Sequence, residues 1–312
     1  MAIDSETARL FLACKQAGIN LGRMVMLGRQ NFLLRPAETR SLFRSYGLTP
    51  DPRLLVPTPP GSDPPFAEPF FESLGATACE AMDVSSYEGA NIVHDMNEAL
   101  PSSLYEQFDL VFDGGTLEHV FQFPRAIHNA MQLVKPGGWF VGFTCGNNWF
   151  GHGFYQFSPE VYYRALSRQN GFSKCAVFIV PEGLGLKWYL VRDPAQLRNR
   201  TNLINSLRTP LLVLGQKAAP TPEKLKLQQS DYLSYWSENA PVLNTGKVLK
   251  ASNFALSLKA KLYQLMPVFT RRLATLEARP WCQEYTIRKR HVFVPIDKNK
   301  LASAIAGLPA NA

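Results

Sequence analysis

Three aspartates, two glycines and a Glu-His pair stand where an α/β sheet does chemistry. Asp83 closes the apolar run Thr77–Met82, and Asp95 follows Asn91-Ile-Val-His94. Asp113 closes Phe108–Phe112 ahead of Gly114-Gly115-Thr-Leu-Glu118-His119. A buried strand ending in such a turn presents it at the carboxyl edge of the sheet, where open α/β sheets bind ligands. Glycines there let backbone approach the ligand closely. The chemistry suggested is therefore on a small cofactor held at that edge. A second set follows the fifth expected strand, in Asn147-Asn-Trp-Phe-Gly-His-Gly-Phe-Tyr-Gln-Phe157. It is punctuated by glycine and mixes aromatics with amides, a surface that stacks on a sugar or ring and hydrogen-bonds its hydroxyls.

The elements that must position these residues follow from pattern. Residues 5–17 form an amphipathic helix stopped by Gly18, and Met24–Leu27 is a buried strand ending at Gly28. Pro36–Tyr46 suits a helix with proline in its first turn and Gly47 at its end. Eight prolines between residues 49 and 69 imply a surface loop, with a short helix near Phe70–Leu74 after it. Strands are expected at Thr77–Met82, Asn91–His94, Phe108–Phe112 and Trp139–Phe143, with a helix over Pro124–Val134. Ser158-Pro-Glu160 is a helix start, and that helix should run to Asn170-Gly171. Ser173–Val180, Pro210–Leu214 and Lys187–Val191 are further strand candidates, and beyond Gln216 the pattern turns helical and basic.

The chain has 312 residues, 46% of them hydrophobic, which suits one large α/β domain with an extension or two modest domains. No stretch approaches the roughly 18 consecutive apolar residues of a membrane helix, and no secretory signal is visible. Five scattered cysteines without a C-x-x-C pair point to reduced thiols in a cytoplasmic protein. The five histidines show no H-x-x-x-H spacing, so no metal site is expected. The net charge of +8 is concentrated: residues 244–300 hold 12 of the 33 Lys+Arg and 3 of the 25 Asp+Glu. This is a solvated helical surface or a patch for an anionic partner, including peripheral contact with a membrane.

The order of strands and acids, with "FDLVFDGGTLEHV" and "LVKPGGWFV" at their separation, resembles the class I S-adenosylmethionine-dependent methyltransferases over roughly residues 20–216. The resemblance implies a Rossmann-like seven-stranded sheet with helices on both faces and its last strand antiparallel. The methyltransferase-like domain would be residues 1–216, with the Pro-rich insertion at 49–69. A basic, mainly helical extension would follow over 217–312. It also implies S-adenosylmethionine as cofactor across the carboxyl ends of the first four strands.

By position, Asp83 with Val84 takes the ribose hydroxyls; the competing reading is an acid capping the next turn. Asp95, Met96 and Asn97 meet the adenine edge, or Asp95 is an ordinary turn aspartate. Asp113, Gly114 and Gly115 flank the methionyl part. In the first loop only Gly28 survives of the usual glycines, and Arg29 is assigned to the cofactor carboxylate by charge alone. For the reaction, His152 is the base candidate, with Tyr155 and Gln156 orienting the acceptor beside Asn147 and Asn148. His119 contacts cofactor or acceptor, or serves the fold. The alternative for the lid residues is packing alone.

The expected activity is methyl transfer, to oxygen of a sugar, glycan or small molecule. The alternatives are a methyltransferase-like binding protein without turnover and a nicotinamide-dependent oxidoreductase. The latter lacks its G-x-G-x-x-G loop. Nucleic-acid modification is not expected, since Asp-Gly-Gly-Thr replaces the Asn-Pro-Pro-Tyr type of loop that some base methylators carry there.

Overall fold

The computed structural model describes residues 2–182, 187–236, 287 and 289–311. The first elements are β1 (Ala2–Ile3), α1 (Ser5–Gln16), β2 (Gly22–Leu27), β3 (Asn31–Phe32) and α2 (Pro36–Ser45). Then come α3 (Glu68–Ser73), β4 (Ala76–Asp83), β5 (Ile92–Val93), β6 (Phe108–Asp113), α4 (Phe123–Leu133) and β7 (Val134–Asn147). The rest are α5 (Pro159–Ala165), β8 (Phe172–Ile179), β9 (Trp188–Val191), α6 (Pro194–Leu197), β10 (Thr209–Lys217), α7 (Ser230–Trp236), β11 (Phe293–Ile296) and α8 (Leu301–Ala306).

The main sheet runs β11-β9-β8-β10-β7-β6-β2-β4-β5. β5, β4, β2, β6 and β7 are mutually parallel, and β10 lies antiparallel between β7 and β8. Seven strands were expected; the sheet has nine, because β9 and β11 extend it antiparallel beyond β8. Both bring large apolar side chains, Trp188 on β9 and Phe293 on β11, which are buried only if the sheet is extended to cover them.

Side chains alternate between two cores, as strand geometry requires. Met24 and Met26 of β2, Leu110 and Phe112 of β6 and Val141 of β7 face one core, which includes residues of α1, α2, α3 and α8. Val25, Leu27, Val111 and Phe140 face the other, with α4 and α5. Helices therefore cover both faces, and the strands read as near-continuous apolar runs for that reason.

Local chemistry sets the ends. Asp4 caps α1 through the Thr7 amide at 2.8 Å, and Gly18 beyond it has φ +82°. The helix expected from Ser158 to Asn170 is shorter: α5 stops at Ala165, and a 3₁₀ turn over Arg168–Asn170 completes the span. The Asn170 amide bonds to the Arg164 and Ala165 carbonyls, closing the helix end with a side chain. Lys217, at the end of β10, is buried and donates to the carbonyls of Met131 and Val134, which closes α4.

Most of the extension expected over 217–312, and of the basic segment within it, lies outside the described residues. Its described part holds α7 and α8 and also the strand β11, for which no strand was expected. Among the described residues no helix is long and apolar enough to cross a membrane.

Candidate functional site

Strand order reverses between β2 and β6, the switch point at whose carboxyl ends sheets of this kind take ligands. Register brings the strand tips level: Leu27 pairs with Met82 and with Asp113, and Asp83 pairs with Val93. Among the described residues the Asp83 carboxylate has no hydrogen-bond or ion-pair partner. The next residues stand open, with Val84 64% and Tyr87 93% exposed. Asp95 Oδ1 accepts from both the backbone and side-chain nitrogens of Asn97 at 2.8 Å, and the backbone bond holds the acid below its usual range. Asn97 in turn accepts from the Gln122 amide at 2.9 Å. Met96 is buried in the core below. Asp95 and Asn97 thus build the loop they were expected to present.

The first loop is organised differently from its glycine-rich counterpart. Gly28, at φ +68°, donates its amide to the Met82 carbonyl at 2.8 Å. Arg29 is committed elsewhere: it pairs with Glu68 at 2.6 Å, donates to the Glu88 carbonyl and lies 3.6 Å from the Phe66 ring centroid. Gln30, absent from the expected site, is fully buried. Its Nε2 donates to the Gly28 carbonyl at 2.9 Å, while its Oε1 is buried without a partner among the described residues. The carboxamide lies against Gly114: a Cβ there would sit 2.5 Å from Gln30 Cδ. Nothing in the sequence signals this beyond a glutamine standing where glycine is usual.

Asp113 is buried, and its Oδ1 accepts from the amides of Gly115, Thr116 and Leu117. Burial, and then the neighbouring Glu118, push its carboxyl up to about 8. It shapes the turn from below. Between about pH 4 and pH 8 the folded chain keeps a proton that the unfolded chain has released, so stability falls as pH rises through that window. Asp113→Asn keeps the acceptor oxygen and removes the titration. Its unfolding free energy should decline less than the wild type's between pH 5 and pH 8 in urea melts; parallel curves would reject this account.

Beyond the turn, Glu118 is buried and central. Its Oε2 accepts from the Thr144 hydroxyl at 2.9 Å and its Oε1 from the Cys145 thiol at 3.3 Å. Burial, with Glu118 second, pushes the thiol upward. The Glu118 carbonyl accepts from the amides of Phe154 and Tyr155. A Cβ on Gly153 would lie 2.8 Å from that carbonyl, so only glycine lets the lid segment dock there. The docking brings His152 to His119, ring centroids 5.1 Å apart, and both are exposed. Trp149 stands edge-on to His152 at 4.9 Å. Ligand atoms of Glu118, Cys145 and His152 all lie within 4.8 Å of one another.

The other lid residues are fastened to the protein. Tyr155 donates its hydroxyl to the Phe121 carbonyl at 2.6 Å, and Gln156 Oε1 accepts from the Trp149 amide at 2.9 Å. The Asn147 and Asn148 amides hold residues 203–207, with Asn148 at φ +63°. Asn147 and Gln156, with Phe157, Ser158, Thr201 and Leu203, also line a cleft of about 340 Å³ beside the end of β7.

Residues 75–142 match the family described as a methyltransferase domain, a span holding Asp83, Asp95, Asp113 and both motifs that carried the resemblance. No match to a curated protein was found. The chain is similar to the trans-methyltransferase CalH in complex with SAH, at 16% identity over 68% of this chain and 56% of that one, TM-score 0.35. It is similar to a protein titled a putative Zn-dependent alcohol dehydrogenase from Rhodobacter sphaeroides, at 15% identity over 47% and 49%, TM-score 0.27. It is also similar to YcgJ from Bacillus subtilis, at 11% identity over 67% and 98%, TM-score 0.34. The chain spans about half the length of the first two, with 56% and 49% covered.

Proposed function

We propose that this chain is an S-adenosylmethionine-dependent methyltransferase acting on oxygen of a sugar, glycan or small-molecule acceptor. The observation that carries the reading is Asp83, a carboxylate without a partner among the described residues, at a strand tip inside the matched methyltransferase segment. An acceptor-only group with two oxygens suits two adjacent hydroxyls of a ribose. Asp95 Oδ2 has no partner among the described residues and stands one strand further out, where it would accept from an exocyclic amine. Gly114 and Gly115 would approach the methionyl end.

When bound, the cofactor supplies a sulfonium-activated methyl group. The chain's own work is alignment and exclusion of water. The lid carrying His152 docks on Glu118 beside the crevice, and the 340 Å³ cleft lined by Asn147 and Gln156 offers the acceptor a place. His152 or His119 takes the acceptor's proton. The amides of Asn147 and Asn148 act indirectly, by holding residues 203–207 at the rim.

A second reading, binding without turnover, is favoured by one observation. The Gln30 carboxamide, at a position where the resemblance expects a glycine, is buried against Gly114. Calorimetry with S-adenosylhomocysteine, S-adenosylmethionine and NAD separates the readings. Tight homocysteine-form binding with turnover on a hydroxyl acceptor supports the first, and binding with none supports the second. Binding of NAD alone would overturn both.

A further inference from the structure

The cluster under the lid goes beyond methyl transfer. Glu118, Cys145 and His152 come from three separate places: the 3₁₀ turn after β6, the carboxyl-terminal end of β7, and the lid. We infer that these three side chains form a binding site for a divalent cation of the zinc class, with the fourth position open.

Geometry carries the inference. Zinc bonds of about 2.3 Å to sulfur and about 2.0 Å to carboxylate oxygen, at a tetrahedral angle, put the two ligand atoms roughly 3.5 Å apart. Cys145 Sγ and Glu118 Oε1 stand 3.3 Å apart already. The other carboxylate oxygen is fixed by the Thr144 hydroxyl at 2.9 Å, the outer-shell bond that orients a ligating acid. His152 lies within 4.8 Å of both, so it must close in by about an ångström to reach the tetrahedral edge expected for such ligands. It sits between Gly151, at φ +81° with open space around it, and Gly153, which is pinned on the Glu118 carbonyl. One neighbour permits the movement while the other keeps it local.

Chemistry selects the ion. A thiolate excludes magnesium and calcium, which take oxygen, and the mixed sulfur, nitrogen and oxygen set suits zinc. On binding, the Sγ–H bond breaks, the proton leaves to solvent and the sulfur–metal bond forms; no electron changes hands. The thiolate and carboxylate, both buried, together balance the dication. Three protein ligands and an open position are the pattern of a working site rather than a structural one. His119 stands beside the opening, ring to ring with His152 at 5.1 Å. In the loaded form His152 holds the ion and His119 is the base left to the reaction.

The test uses the full chain, freed of metal by chelator, and zinc chloride alone. Calorimetry should find one zinc per chain. Cobalt(II) in its place should give a thiolate charge-transfer band that disappears in Cys145→Ser. His152→Ala, on an exposed loop where folding is not at stake, should weaken zinc at least tenfold. Cys79→Ser and Cys282→Ser should change neither reading. No stoichiometric binding overturns the inference, as does binding that survives Cys145→Ser or His152→Ala. Neither cofactor nor acceptor is present, so failure of the methyl-transfer reading leaves this result standing, and the reverse holds too.

Discussion

Asp83→Ala should lower the affinity for S-adenosylhomocysteine on the order of a hundredfold, about 2.7 kcal/mol. The variant removes two hydrogen bonds to a charged acceptor, each worth about 1.5–3 kcal/mol. Solvent returning to the empty place recovers part of that. The carboxylate makes no side-chain bond among the described residues, so the thermal midpoint of the free protein should stay where it is. Titration of both proteins at one ionic strength checks both points. An affinity within twofold of wild type would remove the ribose assignment, and with it the observation on which the proposed activity rests. Asp83→Asn should fall between, since its amide keeps one acceptor and turns a donor toward a hydroxyl.

The second large effect belongs to a pair. Gly114→Ala places a methyl group 2.5 Å from Gln30 Cδ, an overlap that the buried carboxamide cannot escape while its Nε2 stays bonded to the Gly28 carbonyl. Overpacking of this kind costs about 1–3 kcal/mol. Gln30→Ala alone removes a buried Oε1 that has no partner among the described residues, together with the Nε2 bonds to the Leu27 and Gly28 carbonyls, so its own effect should be small. In the double variant the methyl group enters the vacated space. Stability should recover by about 1 kcal/mol or more, a coupling within the usual range of about 0.5–3 kcal/mol for touching residues. Urea unfolding of the four proteins gives the cycle. Additive losses would show that Gln30 does not press on Gly114 in solution. The same set bears on turnover: if Gln30 narrows the seat for the methionyl end, Gln30→Ala binds cofactor more tightly than wild type.

The sheet was legible where its residues are buried on both faces. Met24–Leu27, Phe108–Phe112 and Trp139–Phe143 are near-continuous apolar runs closed by turns, and each lies within an observed strand. β1 and β3 were not, because two-residue strands leave no periodicity to detect. β11 was hidden differently. Its Pro295 argues against a strand in isolation, and only pairing with β9 at the sheet's edge makes it one.

The site divides along the same line. Tip positions follow from strand ends, so Asp83, Asp95 and Asp113 were found in order. Side-chain direction does not follow from sequence, and here it decided much. Asp113 turned inward to three amides, Arg29 to Glu68 and Tyr155 to a carbonyl. Glu118 and Cys145 were invisible as a pair because they stand far apart in sequence. They meet only because β6 and β7 are parallel neighbours in one sheet.

The outermost pairing of the sheet, Val191 of β9 with Phe293 of β11, has a consequence for biosynthesis. The strands from β2 to β10 can collapse while the ribosome is still translating the last quarter of the chain. β9 must then wait with an open rim of amides and carbonyls, the state in which strands recruit stray neighbours. A nascent chain stalled before residue 293 should therefore be a client of chaperones, even with Asp83, Asp95 and Asp113 already at their strand tips.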